Sequence, residues 1–189
     1  FNNIEHSGER LLKLLNNLLD LSKLEAGKVD FKFEQNDIIA CLNQVSTELN
    51  SLLNDKKLQV SIINNLKSSS LTFDRFTIVQ VLINVVSNAI KFSPEGEEII
   101  IKLEDTTQDA KEAVIISVED HGVGIPEGEL GLIFDKFTQS SKTNKGSGGT
   151  GLGLSIAQNI IAAHQGKIWA ENGKSCGAII KIMLFKEIL

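Results

Sequence analysis

The run Gly146-Ser147-Gly148-Gly149-Thr150-Gly151-Leu152-Gly153-Leu154 is the tightest constraint on what this chain can fold into. It leads at once into an apolar, alanine-bearing stretch over 154–163 with helical spacing. Glycine tolerates positive φ and lets the backbone approach a ligand closely. A helix N-terminus just behind it presents free N–H groups and favours negative charge. The run therefore reads as a phosphate-binding loop. It is not the P-loop of the usual NTPases, because no Gly-Lys-Ser/Thr follows, and no strand leads straight into it as a dinucleotide fingerprint requires. A flexible linker ahead of a helix would read the same way, so the rest of the chain decides.

Residues 75–92 supply the second constraint. They are strongly apolar, with Gln80, Asn84, Asn88 and Lys91 set among Val, Ile and Leu. At helical spacing these four fall within a sector of roughly 80°. Buried amides need hydrogen-bond partners, and a ligand could supply them. Two amide oxygens one turn apart suit a hydrated Mg²⁺ or a phosphate-bound water network. The alternative is a plain solvent-facing stripe, for which asparagine is a poor helix former. Asp74 just ahead is a fitting N-cap.

The remaining pattern alternates helix and strand. Residues 4–25 carry a leucine stripe at three- and four-residue steps, ended by Gly27. Its apolar face either forms an oligomer surface or packs back on its own domain. Period-two alternation predicts strands over 29–33, 58–63 and 71–73, a hairpin of 98–103 and 113–118 around a polar loop at 105–112, and last strands at 167–170 and 178–185. Helical patterns cover 37–55, 75–92 and 152–164, with a short helix or turn at 129–137. The strand at 113–118 runs into Asp120-His121-Gly122-Val123-Gly124-Ile125, which puts a carboxylate beside a backbone free to curl round a flat ligand. An adenine amino group is a natural donor to it. Residues 138–149 are polar and unpatterned, a lid by composition.

The totals exclude several classes. With 189 residues and 42% hydrophobic content there is room for one domain and an accessory element. The net charge of −5, with no basic cluster, argues against nucleic acid as partner. No apolar run is long enough to span a bilayer and no N-terminal signal is visible, which predicts a cytoplasmic piece without direct membrane contact. A full-length protein anchored in the inner membrane stays open. Cys41 and Cys176 stand far apart, against a disulfide framework or zinc site. The chain opens abruptly in a helical pattern, as an excised fragment would.

The order of these parts resembles sensor histidine kinases. Asn84, Asn88, Lys91 and Phe92 resemble the N-box; Asp120, Gly122, Gly124 and Ile125 the first glycine box; Phe134-Asp135-Lys136-Phe137 the F-box; and Gly149, Gly151, Leu152, Gly153 and Leu154 the second glycine box. The segment 18–27 is similar to the second helix of the family's dimerisation and phosphoacceptor hairpin. The resemblance implies a two-layer α/β sandwich with a mixed β-sheet, preceded by one long amphipathic helix. Residues 1–27 would be the hairpin's C-terminal helix, without the acceptor helix, and 28–189 the catalytic ATP-binding domain.

It also implies roles. Asn84, Asn88 and Lys91 would be catalytic: Asn88 as the Mg²⁺ ligand, Asn84 on the metal's water shell or the phosphates, Lys91 facing phosphate. Asp120 would accept from adenine, with Gly122 and Gly124 allowing close approach beside Ile125, Phe92 and Phe137. Gly149, Thr150, Gly151, Leu152, Gly153 and Leu154 would line the phosphates, their N–H groups turned inward. Lys142 or Lys145 would stand in for a lid arginine. The cofactors implied are ATP or ADP with Mg²⁺. The partners implied are the chain's own acceptor helix, a response regulator receiver domain, and a second copy through helix 4–25. Ala178 follows Gly177 where the family commonly has Ser or Thr, which removes one polar contact to the base. Of the three histidines, His6 lacks the family acceptor's neighbours, His121 occupies a variable position, and His164 reads as a helix-end residue favourable at that terminus. A stand-alone ATPase and a nucleotide-free interaction module are the competing readings. The first needs a general base where Asn84 stands, and an amide cannot take a proton from water.

Overall fold

The structure is a computed structural model and describes residues 2–138, 140–142, 150–174 and 176–187. Helix α1 (Asn2–Glu25) leads into strand β1 (Glu34–Asp37), helices α2 (Ile38–Glu48) and α3 (Asn50–Asp55), and strands β2 (Gln59–Asn65) and β3 (Ser70–Phe73). Helix α4 (Arg75–Phe92), the hairpin β4 (Glu98–Gln108) and β5 (Lys111–Glu119), helix α5 (Gly153–Ala163), and strands β6 (Lys167–Asn172) and β7 (Ala178–Phe185) follow. Two short 3₁₀ turns, Glu127–Glu129 and Leu132–Phe134, lie between β5 and α5.

The main sheet has the order β2-β4-β5-β7-β6. Its β2–β4 pair is parallel and the other pairs antiparallel, so the sheet is mixed. One face is apolar because the strands alternate. Ile99, Ile101, Leu103, Ile116, Val118, Ile180 and Ile182 point inward and are buried against α2, α4 and α5. The opposite face carries partly exposed Lys102, Ser117, Lys181 and Trp169 in adjacent register. The antiparallel part of the sheet, β4-β5-β7-β6, tolerates this, one side packed and one side wet. The expected two-layer α/β sandwich with a mixed sheet is what the chain adopts.

Several local expectations are corrected. Residues 29–33 are not a strand. The Lys32 N–H donates to Asp74 Oδ2 at 2.8 Å, and Phe31 and Phe33 turn edge-on to His164, their centroids 5.4 and 5.0 Å away. The pairing falls instead to β1, antiparallel to β3. The helix expected over 37–55 breaks at Leu49. Just before the break, the Ser46 and Thr47 hydroxyls bond back to Leu42 O and Asn43 O, a habit that bends helices. The hairpin strands extend through the expected 105–112 loop and turn on Asp109 and Ala110, both at positive φ.

His164 is no exposed helix-end cation. It is fully buried, its Nε2 accepts from the Asp74 N–H at 3.1 Å, and its Nδ1 donates to Ile160 O at 2.8 Å. Burial lowers its pKa, against the opposing pull of the Ile160 bond and the Asp74 charge. It is therefore a neutral clasp joining the end of α5 to the start of α4.

Candidate functional site

Helix α4 has the boundaries its sequence predicts because both ends are set locally. Asp74 caps it through Thr77 N–H at 2.9 Å, and Pro94 bars continuation beyond Ser93. Its polar stripe divides in two. Asn84, Asn88 and Lys91 line a cavity of about 400 Å³ between α4, the start of α5 and the inner ends of β5 and β7. Gln80, the fourth member, instead reaches Asp20 of α1 at 3.4 Å.

The glycine turn after β5 is zipped to the β6–β7 turn. Asp120 N–H donates to Ala178 O at 2.9 Å, and Gly177 N–H donates to Gly122 O at 2.9 Å. Asn172 closes the same seam, its Oδ1 accepting from Ile125 N–H at 2.8 Å and its Nδ2 donating to Ile125 O at 2.7 Å. Glycine is required at 122, where a Cβ would stand 2.6 Å from Phe92 O, and at 177, where it would stand 1.7 Å from Asp120 O. Asp120 is thereby buried. Its Oδ1 accepts from Gly122 N–H at 2.8 Å and Ala178 N–H at 3.2 Å, while Oδ2 takes no bond among the described residues. Burial pushes its carboxyl above the usual range, and the two N–H bonds oppose that rise.

The opposite wall joins Phe137 to the glycine run at 151–153. Phe137, at positive φ, donates its N–H to Gly151 O at 3.0 Å, and a Cβ on Gly151 would meet the Phe137 carbonyl carbon at 2.7 Å. Asn84 Nδ2 donates to Gly153 O at 3.3 Å, which fastens α4 to the first turn of α5. Lys142 Nζ donates to Val123 O at 3.0 Å and so bridges the rim.

Of the residues expected at the site, Asn84, Asn88, Lys91, Phe92, Asp120, Gly124, Ile125, Thr150, Gly151, Gly153 and Leu154 line the one cavity. Gly122, Phe137, Leu152 and Lys142 stand behind it or at its edge. Gly122 and Leu152 are buried; the Leu152 N–H meets Thr150 Oγ1 at 3.3 Å. Lys145 and Gly149 lie outside the described residues, as does 143–149 of the expected lid. Sequence reasoning missed the apolar walls Val118, Ile133 and Ile180, and it missed Asn17 of α1. The inward alternation of β5 and β7 was a usable signal for Val118 and Ile180. Ala178 was noted only for the hydroxyl it lacks, whereas its N–H holds Asp120.

The donor set fits an adenine nucleotide with a magnesium ion. Oδ2 of Asp120 is available to an amino group at the apolar end of the cavity. The Asn88 amide makes no bond among the described residues and is half-buried beside Asn84. No group of three His, Cys, Asp or Glu side chains able to hold a metal occurs among the described residues. A cation here would share one amide oxygen with phosphate oxygens, as Mg²⁺ does in nucleotide sites.

The family model described as histidine kinase-, DNA gyrase B- and HSP90-like ATPase matches residues 73–188. The chain belongs to this family. Its ATPase-family region runs from the end of β3 through β7, so it holds α4, both glycine turns and every strand of the main sheet except β2. The chain is 35% identical over 187 residues to the sensor histidine kinase WalK of Bacillus subtilis (strain 168), covering 97% of this chain and 30% of WalK. It matches full-length ShkA in complex with AMPPNP at a TM-score of 0.83 and 25% identity, over 99% of this chain and 38% of that one. It matches the histidine kinase ThkA in complex with the response regulator protein TrrA at a TM-score of 0.78 and 27% identity, over 98% of this chain and 50% of that one. No helix among the described residues is long and apolar enough to cross a membrane.

Proposed function

We propose that this chain is the ATP-binding part of a sensor histidine kinase, with the second helix of the dimerisation hairpin in residues 1–27 and the catalytic domain in 28–189. The observation that carries the reading is the meeting, in one cavity, of a buried carboxylate from the end of β5 and, from the C-terminal half of α4, an amide that makes no bond among the described residues. Bound Mg-ATP supplies the phosphoryl group and the charge that neutralises it. Asp120 accepts from the adenine amino group, and Val118, Ile125 and Ile180 exclude water around the base. Asn88 offers its amide oxygen to the cation. Lys91, whose Nζ lies 4.9 Å from the centre of the Phe92 ring, presents positive charge on the same helix face. Gly151 and Gly153 keep the backbone open at the start of α5, where the helix dipole favours phosphate. Catalysis by these residues is positioning and electrostatic stabilisation rather than proton abstraction.

The phosphoryl acceptor is a histidine outside residues 1–189, and the relay partner is a receiver-domain aspartate of a response regulator. The ThkA–TrrA complex supports that partner class. The chain works in the cytoplasm, whether or not the longer protein is anchored in the inner membrane. Calorimetry with ATP, with Mg²⁺ and with chelator, tests the site. Asn88→Ala should weaken ATP far more when Mg²⁺ is present. Equal affinity of wild type and variant under both conditions would refute the metal assignment. With γ-labelled ATP, the chain alone should stay unlabelled, and label should move to a separately supplied acceptor-helix domain.

A further inference from the structure

We infer that Asn17 of α1 touches the polyphosphate end of the bound nucleotide, so that helix α1 itself reads whether a triphosphate is present. The inference rests on the nucleotide reading of the cavity. Between Leu11 and Glu25, the residues of α1 that are not exposed and whose side chains are described are Leu14, Asn17, Asp20, Leu21 and Leu24. Their three- and four-residue spacing makes one face of the helix. That face docks on the catalytic domain. Leu21 is buried, Leu14 and Leu24 pack against the core, α1 lies along α5, and Glu25 pairs with Lys136.

Over 14–24, the described side chains of the docked face include two polar members. Asp20 takes the Gln80 amide, one turn ahead of Asn84 on α4. Asn17 makes no bond among the described residues and lines the cavity. The Asn17 amide is half-buried and open to the cavity, so a ligand there would replace water as its partner. The place of that partner follows from the two anchors. The base end of the cavity is Asp120, Ala178 and Ile125, toward the C-terminus of α4. The α1 contacts lie at the other end, at Gln80 and α5, beside Asn84 and Gly153, where phosphate belongs. A terminal phosphate oxygen, or a water of the metal shell, would be the acceptor offered to that amide. The contact joins nucleotide occupancy to the seating of α1, whose other face carries the exposed leucines.

Titration calorimetry on the 189-residue chain with AMP and with a nonhydrolysable ATP analogue, both with Mg²⁺, tests this. Asn17→Ala should weaken the analogue about tenfold, the worth of one hydrogen bond to a charged group, and leave AMP binding unchanged. Asn17→Asp should weaken the analogue further through like charge. Hydrogen exchange over 14–24 should slow on adding the analogue to wild type and not to Asn17→Ala. Equal loss for both ligands would make Asn17 a structural residue only, and unchanged affinity for both would remove it from the site; either overturns the inference. A wild-type chain that binds neither ligand would overturn the nucleotide reading itself, and this inference with it.

Discussion

Burial of the Asp120 carboxylate, only partly offset by its two N–H bonds, raises its pKa. A carboxyl whose folded pKa exceeds its unfolded value adds stability at low pH, and that contribution is lost as pH rises from about 4 through the folded value. At neutral pH the charge is therefore held at a cost to the fold, as functional carboxylates often are. Asp120→Asn keeps an oxygen for Gly122 and Ala178 and removes the charge. Its urea midpoint at pH 7 should equal or exceed wild type, while ATP affinity falls by roughly tenfold or more. Denaturation and calorimetry on one preparation check both halves. A parallel fall in stability and affinity would show that the carboxylate supports the turn rather than the base.

Helix α4 carries the site, and its two ends are secured by different means. At the C-terminus, Lys56 Nζ donates to Ile90 O at 2.9 Å, Lys91 O at 2.6 Å and Ser93 O at 2.9 Å. A single ammonium thus satisfies three end carbonyls and faces the negative pole of the helix. Lys56 can reach them because α3 ends in a Schellman turn, with Leu58 N–H on Leu53 O, Lys57 N–H on Asn54 O and Lys57 at φ 53. Lys56→Met keeps the stem and loses the charge. It should cost about 2 kcal/mol in urea unfolding and speed hydrogen exchange in the last turn of α4. At the N-terminus, Asp74 and neutral His164 hold α4 to α5 and to residues 31–33. The lowered His164 pKa means that the unfolded chain takes up a proton the folded chain refuses. Stability should be full above about pH 6.5 and fall below it, by at most about 1.4 kcal/mol per pH unit. Urea midpoints from pH 8 to pH 5 measure that slope, and His164→Gln should flatten it.

Across the whole molecule, α1 shows two faces. One is docked on α5 and the cavity, and the other exposes Leu11, Leu12, Leu15, Leu18 and Leu19. So large an apolar stripe on a helix calls for a partner, and a second copy through this helix fits the hairpin reading. Sedimentation should show a concentration-dependent dimer, and the double variant Leu15→Glu, Leu19→Glu should sediment as a monomer. Both leucines are about half exposed, so the variant's unfolding midpoint, extrapolated to low protein concentration, should match wild type. A wild-type chain that stays monomeric at high concentration would leave α1 as a docking helix only.

Period and capping chemistry are local, and the sequence by itself determined what depends on them. Helix α4 runs from Arg75 to Phe92 as expected, because Asp74 and Pro94 act within one turn of its ends. The hairpin, the last two strands and the gathering of Asn84, Asn88, Asp120 and Gly151 at one cavity were also legible, since the motif order resembles a known family. Tertiary structure decided whatever needed a distant partner. Residues 29–33 alternate like a strand, yet a carboxylate 42 residues away takes the Lys32 N–H. Asp120 is held by the N–H of Ala178, 58 residues on, in a turn zipped to its own. His164 is neutral because packing buries it, and its ring then accepts the N–H of Asp74, 90 residues before it. Asn17 stands beside the cavity because α1 packs on α5. Alternation and spacing specify which face of an element is apolar; which element covers that face, and which polar group it leaves pointing into a cavity, is settled only when the layers pack.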